Sequence, residues 1–160
     1  MPRPAPPPTP RAAEYWRSGA DGVLRIARCG PCGTYIHPPR PLCPQCHSAD
    51  VAFAPVSGKG TVYSFTINRY QWTPALEPPY VLAEVDLAEQ PGLRLLTAVV
   101  GCPVDAVRIG MPVTVAFERA DDVEHSGDSE PAGDSAGDSA GDSARAGGNP
   151  GTVWIPVFRP

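Results

Sequence analysis

The sequence reads as a mainly β chain: a short N-terminal helix, a small cysteine-built ribbon, and then a five-stranded antiparallel barrel. Three observations point there. Four cysteines form two Cys-x2-Cys pairs, Cys29 with Cys32 and Cys43 with Cys46, with ten residues between the pairs. Five short segments after residue 59 have the alternating or continuously apolar pattern of strands. Little helix-forming sequence lies between those segments, so antiparallel pairing with short connections is expected.

Composition bounds the rest. The chain has 160 residues and is 42% hydrophobic, enough to build a core in one domain or two small ones. No apolar run approaches the roughly 18 to 20 residues that a membrane-spanning helix needs. The N-terminus MPRPAPPPTP has no apolar stretch of the kind an export signal carries. A cytoplasmic location and reduced cysteines are therefore expected. Net charge is −4 but unevenly placed. Residues 121–150 hold eight acids (Asp121, Asp122, Glu124, Asp128, Glu130, Asp134, Asp138, Asp142) against Arg145, a local balance of −7 that leaves +3 elsewhere. A mildly basic folded part does not exclude anionic partners.

Taken in order, residues 1–10 hold six of the 22 prolines and read as a disordered, polyproline-like arm. Arg11 to Ser18 can form a short helix ending at Gly19. Its Tyr15 and Trp16 are large for a helix too short to stand alone, so they either pack on the domain behind them or dock on a partner. Gly22 to Arg28 alternates and reads as a strand leading into the first cysteine pair. A turn, GTYIHPPRPL, joins the pairs, and His37 and His47 read as exposed loop residues. The helix and ribbon together span 11–50.

The barrel is expected over 51–160. In GTVYSFTINR (60–69), Tyr63, Phe65 and Ile67 share one face that reads as core. YVLAEVDL (80–87) follows, with Glu84 and Asp86 marking a solvent face, and then GLRLLTAVV (92–100). PVDAVRIG (103–110) has room only for one helical turn or a loop. Val113, Val115 and Phe117 share a face in MPVTVAF, and Val153, Ile155 and Val157 share one in TVWIPVF. Residues 121–150, with their Gly-Asp-Ser-Ala repeat, hold too little apolar surface to offset their ordering entropy and read as a disordered acidic insertion. Such a segment can also compete for basic surfaces.

The cysteine spacing points two sulfurs from each of two turns at one ion. Zinc suits four thiolates, and a closed four-ligand site leaves no position for water or substrate. A structural zinc on Cys29, Cys32, Cys43 and Cys46 is the leading reading. Iron takes the same four thiolates, and a redox dithiol or two disulfides would use the same cysteines. No catalytic set is evident. Cys102 lacks a neighbouring base and reads as a small buried hydrophobe at a strand end, and His125 falls in the acidic repeat.

Several stretches, in order, resemble a family that joins a rubredoxin-like zinc ribbon to an OB-fold and accompanies thiolases and related acyl-CoA enzymes. They are the Tyr15-Trp16 helix, CGPCGTYIHPPRPLCPQC (29–46), GKGTVYSFTI (58–67), PPYVLAEVDL (78–87), LLTAVVGC (95–102), VRIGMPVTVAF (107–117) and VWIPVFRP (153–160). The proline arm and the acidic repeat depart from the pattern without touching a motif. The resemblance implies a non-catalytic accessory subunit that assembles with a thiolase-fold enzyme (a thiolase or aldolase chain), a 3-hydroxy-3-methylglutaryl-CoA-synthase-like chain or a hydratase, some such partners being thiolases of acyl-CoA degradation and others retro-aldolases that shorten steroid side chains held on CoA. It also implies that acyl-CoA sits at the partner interface.

On that reading Tyr15, Trp16 and Trp72 are candidate anchors, because aromatics dominate interface hot spots. Trp72, in the proline-rich link between the first two barrel strands, either meets a partner or covers one end of the barrel. The second function considered is a single-stranded nucleic-acid module, since OB-folds bind bases on stacked aromatics in a basic groove. Against it, Tyr63 and Phe65 read as core, the bases are scattered, and the acidic repeat would repel phosphate.

Overall fold

The structure is a computed structural model and describes residues 9–74, 76–120 and 152–160. Most of the expected N-terminal arm, the acidic insertion and His125 lie outside the described residues.

The helix is α1, Ala13–Arg17, followed by one 3-10 turn, Ser18–Ala20. The Ser18 hydroxyl is buried, donates to the Glu14 carbonyl at 3.1 Å and accepts the Arg25 backbone N–H at 3.1 Å. One side chain thus ties the helix to the first strand. Gly19 is needed for close approach, since a Cβ there would overlap Trp154 and Phe117.

Three strands form the ribbon sheet: β1 (Arg25–Cys29), β2 (Tyr35–Ile36) and β3 (Val51–Pro55), in the order β2-β1-β3. β3 was not expected as a strand. Its VAFAP sequence has neither strong alternation nor β-branched density, and its five-pair antiparallel register with β1 makes it one.

The barrel holds β4 (Lys59–Asn68), β5 (Tyr80–Leu87), β6 (Arg94–Val99), β7 (Pro112–Arg119) and β8 (Trp154–Arg159), closed in the order β4-β5-β6-β8-β7. These are the five expected strands, and one 3-10 turn, Val104–Ala106, occupies the 103–110 stretch. β5 shows the half-buried alternation its sequence predicts, with Val81, Ala83, Val85 and Leu87 inward. Closure between β6 and β8 is parallel and narrow, at Val99 opposite Phe158. The Thr97 hydroxyl reinforces it, donating to the Pro156 carbonyl at 2.8 Å.

One facing expectation is corrected. The ladder between β4 and β5 shifts between Val62 and Ser64, so a bulge at Tyr63 reverses the side-chain alternation. Val62 is buried, Phe65 and Ile67 pack on the core from beyond the bulge, and Tyr63 turns outward, 45% exposed. Phe158 of β8 is buried too, at 0% exposure, on the face opposite Val157. Val157 is also at 0%, so both faces of this strand are covered.

One buried cluster joins the barrel residues Val62, Val85, Leu95 and Phe158 to Tyr15, Leu24 and Ile26 of the helix and ribbon. A smaller cluster of Ala27, Cys29, Ile36 and Cys43 lies under the ribbon. Backbone and side-chain bonds lock the two parts together. Val56 N–H, just beyond β3, donates to the Leu24 carbonyl at 2.9 Å. Gln90 pairs with the Tyr35 backbone in both directions, at 2.8 and 3.2 Å.

Candidate metal centre and docking aromatics

Each cysteine pair sits in the same local fold. In the first, the N–H of Gly33 bonds to the Cys29 carbonyl at 2.9 Å and the N–H of Cys29 bonds to the Thr34 carbonyl at 2.9 Å. In the second, the N–H of His47 bonds to the Cys43 carbonyl at 3.0 Å and the N–H of Cys43 bonds to the Ser48 carbonyl at 2.9 Å. The residue after each pair takes the left-handed region, Gly33 at φ 73° and His47 at φ 59°. The two turns are therefore copies of one design, and His47 holds the place of a turn glycine.

The copies face each other. The four Sγ atoms lie within 4.8 Å of one another, and the Cys29–Cys46 and Cys32–Cys43 pairs are each 3.5 Å apart. Tetrahedral zinc with Zn–S of about 2.3 Å places sulfurs ~3.8 Å apart, so the set fits that ion. The five cysteines are free thiols, without disulfide bonds. Cys29 and Cys43 are buried and Cys32 and Cys46 are exposed.

The electrostatics agree. The Thr34 hydroxyl, 3.2 Å from Cys32 Sγ, holds that thiol down to about 6. A backbone bond from Cys32 lowers Cys29 more than any other single influence. Burial and the hydrogen bonds from the other thiols outweigh it and push Cys29 up to about 12. Four thiols this close resist ionising together, and a divalent cation removes that resistance.

Neither histidine belongs to the sulfur cluster. His47 is exposed. His37, expected to be exposed, is half-buried with its ring 5.1 Å from that of Tyr15, and burial lowers its pKa. The helix folds back over the ribbon, which the local sequence around His37 does not reveal.

The three candidate anchors have different surroundings. Tyr15 is 7% exposed, inside the chain's own core, and burial pushes its hydroxyl pKa up. Trp16 is half-buried and packs edge-on against Tyr15 at 4.8 Å. It borders a groove with Leu82, Leu96, Ala98 and Ile155 on the outside of the barrel. Trp72 is 72% exposed and stands edge-on to Tyr70, itself 67% exposed, at 5.0 Å. Leu96, at 75% exposure, is a surface residue the sequence did not single out. Its strand alternation could have identified it.

Residues 16–52 match the model of the ChsH2 rubredoxin-like zinc ribbon domain, and residues 54–118 match that of the ChsH2 C-terminal OB-fold domain. A DUF35 domain-containing scaffold protein of Methanocaldococcus jannaschii is 34% identical over 107 residues, covering 65% of this chain and 74% of that protein. The chain belongs to the ChsH2-type DUF35 family. As a DUF35 chain it is mainly β, with a zinc-ribbon cysteine set and a closed five-stranded OB barrel. A chain of the solved Ltp2-ChsH2(DUF35) aldolase matches this DUF35 chain with a TM-score of 0.71 and 34% identity, over 99% of this chain and 98% of that one. A probable enoyl-CoA hydratase alpha subunit of Thermomonospora curvata is 40% identical over 119 residues, covering 74% of this chain but 37% of that protein. The chain thus spans about a third of the length of the hydratase alpha subunits it matches. Among the described residues no helix is long and apolar enough to cross a membrane.

Proposed function

We propose that this chain is a non-catalytic accessory subunit of a thiolase-fold acyl-CoA enzyme, a thiolase or a retro-aldolase. The observation that carries the reading is the end-to-end likeness to a chain of the Ltp2-ChsH2(DUF35) aldolase. On this reading Cys29, Cys32, Cys43 and Cys46 hold one structural zinc, which makes the ribbon a rigid platform in the reducing cytoplasm. The helix and ribbon act as one unit and the OB barrel as the other.

Trp16 and Trp72 are the docking anchors, and Tyr15 supports Trp16 from beneath. Two exposed rings at 5.0 Å, such as Tyr70 and Trp72, are the kind of large amphipathic surface that interfaces bury. The acyl-CoA ester is bound where this chain meets its enzyme. Steroid side chains and other acyl groups are the substrates of such partners.

The test is co-expression with the thiolase-like or aldolase chain encoded beside it, followed by size-exclusion chromatography and acyl-CoA turnover with and without this chain. Co-elution with a gain in turnover is expected. Trp72→Ala should weaken co-elution without changing the melting temperature. Retained co-elution in a Trp16→Ala, Trp72→Ala double variant would remove the anchor assignment. A lone monomer with no effect on turnover would remove the function.

A further inference from the structure

The ribbon gathers four of the chain's five cysteines into one cluster, and their surroundings are not equivalent. In each turn the first cysteine is buried and the second is exposed. Cys29 and Cys43 are at 1% and 0% exposure, while Cys32 and Cys46 face solvent. The sulfur contacts cross from turn to turn. Cys46 Sγ lies 3.5 Å from Cys29 Sγ, and Cys32 Sγ lies 3.5 Å from Cys43 Sγ. Each contact therefore joins one exposed sulfur to one buried sulfur of the opposite turn. Cys102 is half-buried and lies outside the cluster.

We propose that Cys29 with Cys46 and Cys32 with Cys43 are two crossed dithiol pairs that hydrogen peroxide oxidises to disulfides, with release of the zinc ion. Peroxide reacts with thiolates, and access decides which thiolate it meets. The exposed Cys32 and Cys46 meet it first. At each, the sulfur attacks one peroxide oxygen, the O–O bond breaks, and a sulfenic acid forms as hydroxide leaves. The buried neighbour then attacks that sulfur, the S–O bond breaks, a second hydroxide leaves and the disulfide closes. Four thiolates thus give four electrons to two peroxides, and the products are two disulfides and four hydroxides. The thiolate is the metal-binding form of cysteine, so all four donors are lost together. A disulfide bond of about 2.05 Å requires each crossed contact to close by only ~1.5 Å. Crossed bridges tie one turn to the other, as the ion does, so the ribbon keeps its topology. Bridges inside each turn would leave the two turns unlinked. In a reducing compartment such disulfides are transient and return to thiols by exchange. This oxidation rests on the zinc reading of the four cysteines and not on which enzyme the chain serves.

The test uses the full-length chain, purified under reducing conditions, assayed for zinc and then titrated with hydrogen peroxide. A chromogenic chelator follows the released metal. Free thiols are counted by alkylation and intact mass after catalase removes residual peroxide. Two equivalents of peroxide are expected to release one zinc and remove four thiols, leaving the Cys102 thiol free. Fragmentation of the unreduced 29–46 stretch in a mass spectrometer is expected to show Cys29 joined to Cys46 and Cys32 joined to Cys43. A phosphine reductant with added zinc should restore both the thiols and the metal. Bridges within the turns, sulfinic acids in place of disulfides, or retained zinc under about ten-fold excess peroxide would each overturn the proposal. A chain purified without zinc would remove the metal reading, and the disulfide map of that chain would still decide the pairing.

Discussion

His47 shows how a single residue carries the ribbon geometry. It stands at φ 59° where the sister turn has Gly33 at φ 73°, a region that disfavours a Cβ, most severely a branched one. His47→Gly should therefore leave the melting temperature unchanged or raised, and His47→Val should cost about 1–2 kcal/mol. Thermal melts of the two variants with zinc bound check this, and a loss in the glycine variant would mean that the imidazole itself matters. His37 adds a pH effect. Burial lowers its folded pKa below the unfolded value, so the neutral ring is the form the fold prefers. Its contribution is fully present above about pH 6.5 and is lost as pH falls below that value toward the lowered folded pKa. Melts between pH 7.5 and 5.5 should fall less in His37→Gln than in the parent. Asp21 acts lower on the scale. The Arg25 side chain holds its carboxyl down to about 2, so the pair stays charged below the usual carboxylate range, and its contribution fades as pH falls from about 4 toward that folded value.

At the scale of elements, the ribbon depends on two copied turns and the barrel on register. Cys43→Ser should abolish stoichiometric zinc and lower the melting temperature of the chain, because ligand loss removes both the ion and a buried sulfur. Full zinc content and an unchanged melt in that variant would refute the ligand set. The cysteine cluster was legible in the sequence because both turns are local: each depends on two cysteines and the residues that follow. β3 was not legible, since Val51–Pro55 owes its strand character to β1 across the sheet. Tyr63 was misread for a related reason. Period-two alternation holds only while the ladder is regular, and the bulge between Val62 and Ser64 reverses it. The outward ring then finds Arg94, whose guanidinium carbon lies 3.4 Å from the ring centroid and whose Nε lies 2.8 Å from Asp86 Oδ1.

Across the whole molecule, ribbon and barrel share one buried cluster from Tyr15 and Ile26 through to Leu95 and Phe158. Phe158→Ala should cost about 3–5 kcal/mol, measured by denaturant unfolding, as an unfilled cavity opens where the barrel closes. Because the core is continuous and Gln90 clamps Tyr35, chelating the metal should lower one cooperative transition by more than about 10 °C. Probes in the ribbon and barrel should melt together. A barrel that kept its melting temperature after metal loss would show that the shared core does not couple the two parts.

Local sequence was enough to specify the four-cysteine cluster, the five barrel strands and the family pattern. Cysteine spacing and side-chain period are properties of short stretches, and backbone geometry turns them directly into turns and strands. Tertiary packing was needed to put Tyr15 in the core, to leave Trp72 in solvent and to close the barrel on Phe158. Each of these outcomes depends on which distant surface a residue meets. That choice follows from strand register and the packing of α1, which no local stretch of the chain encodes.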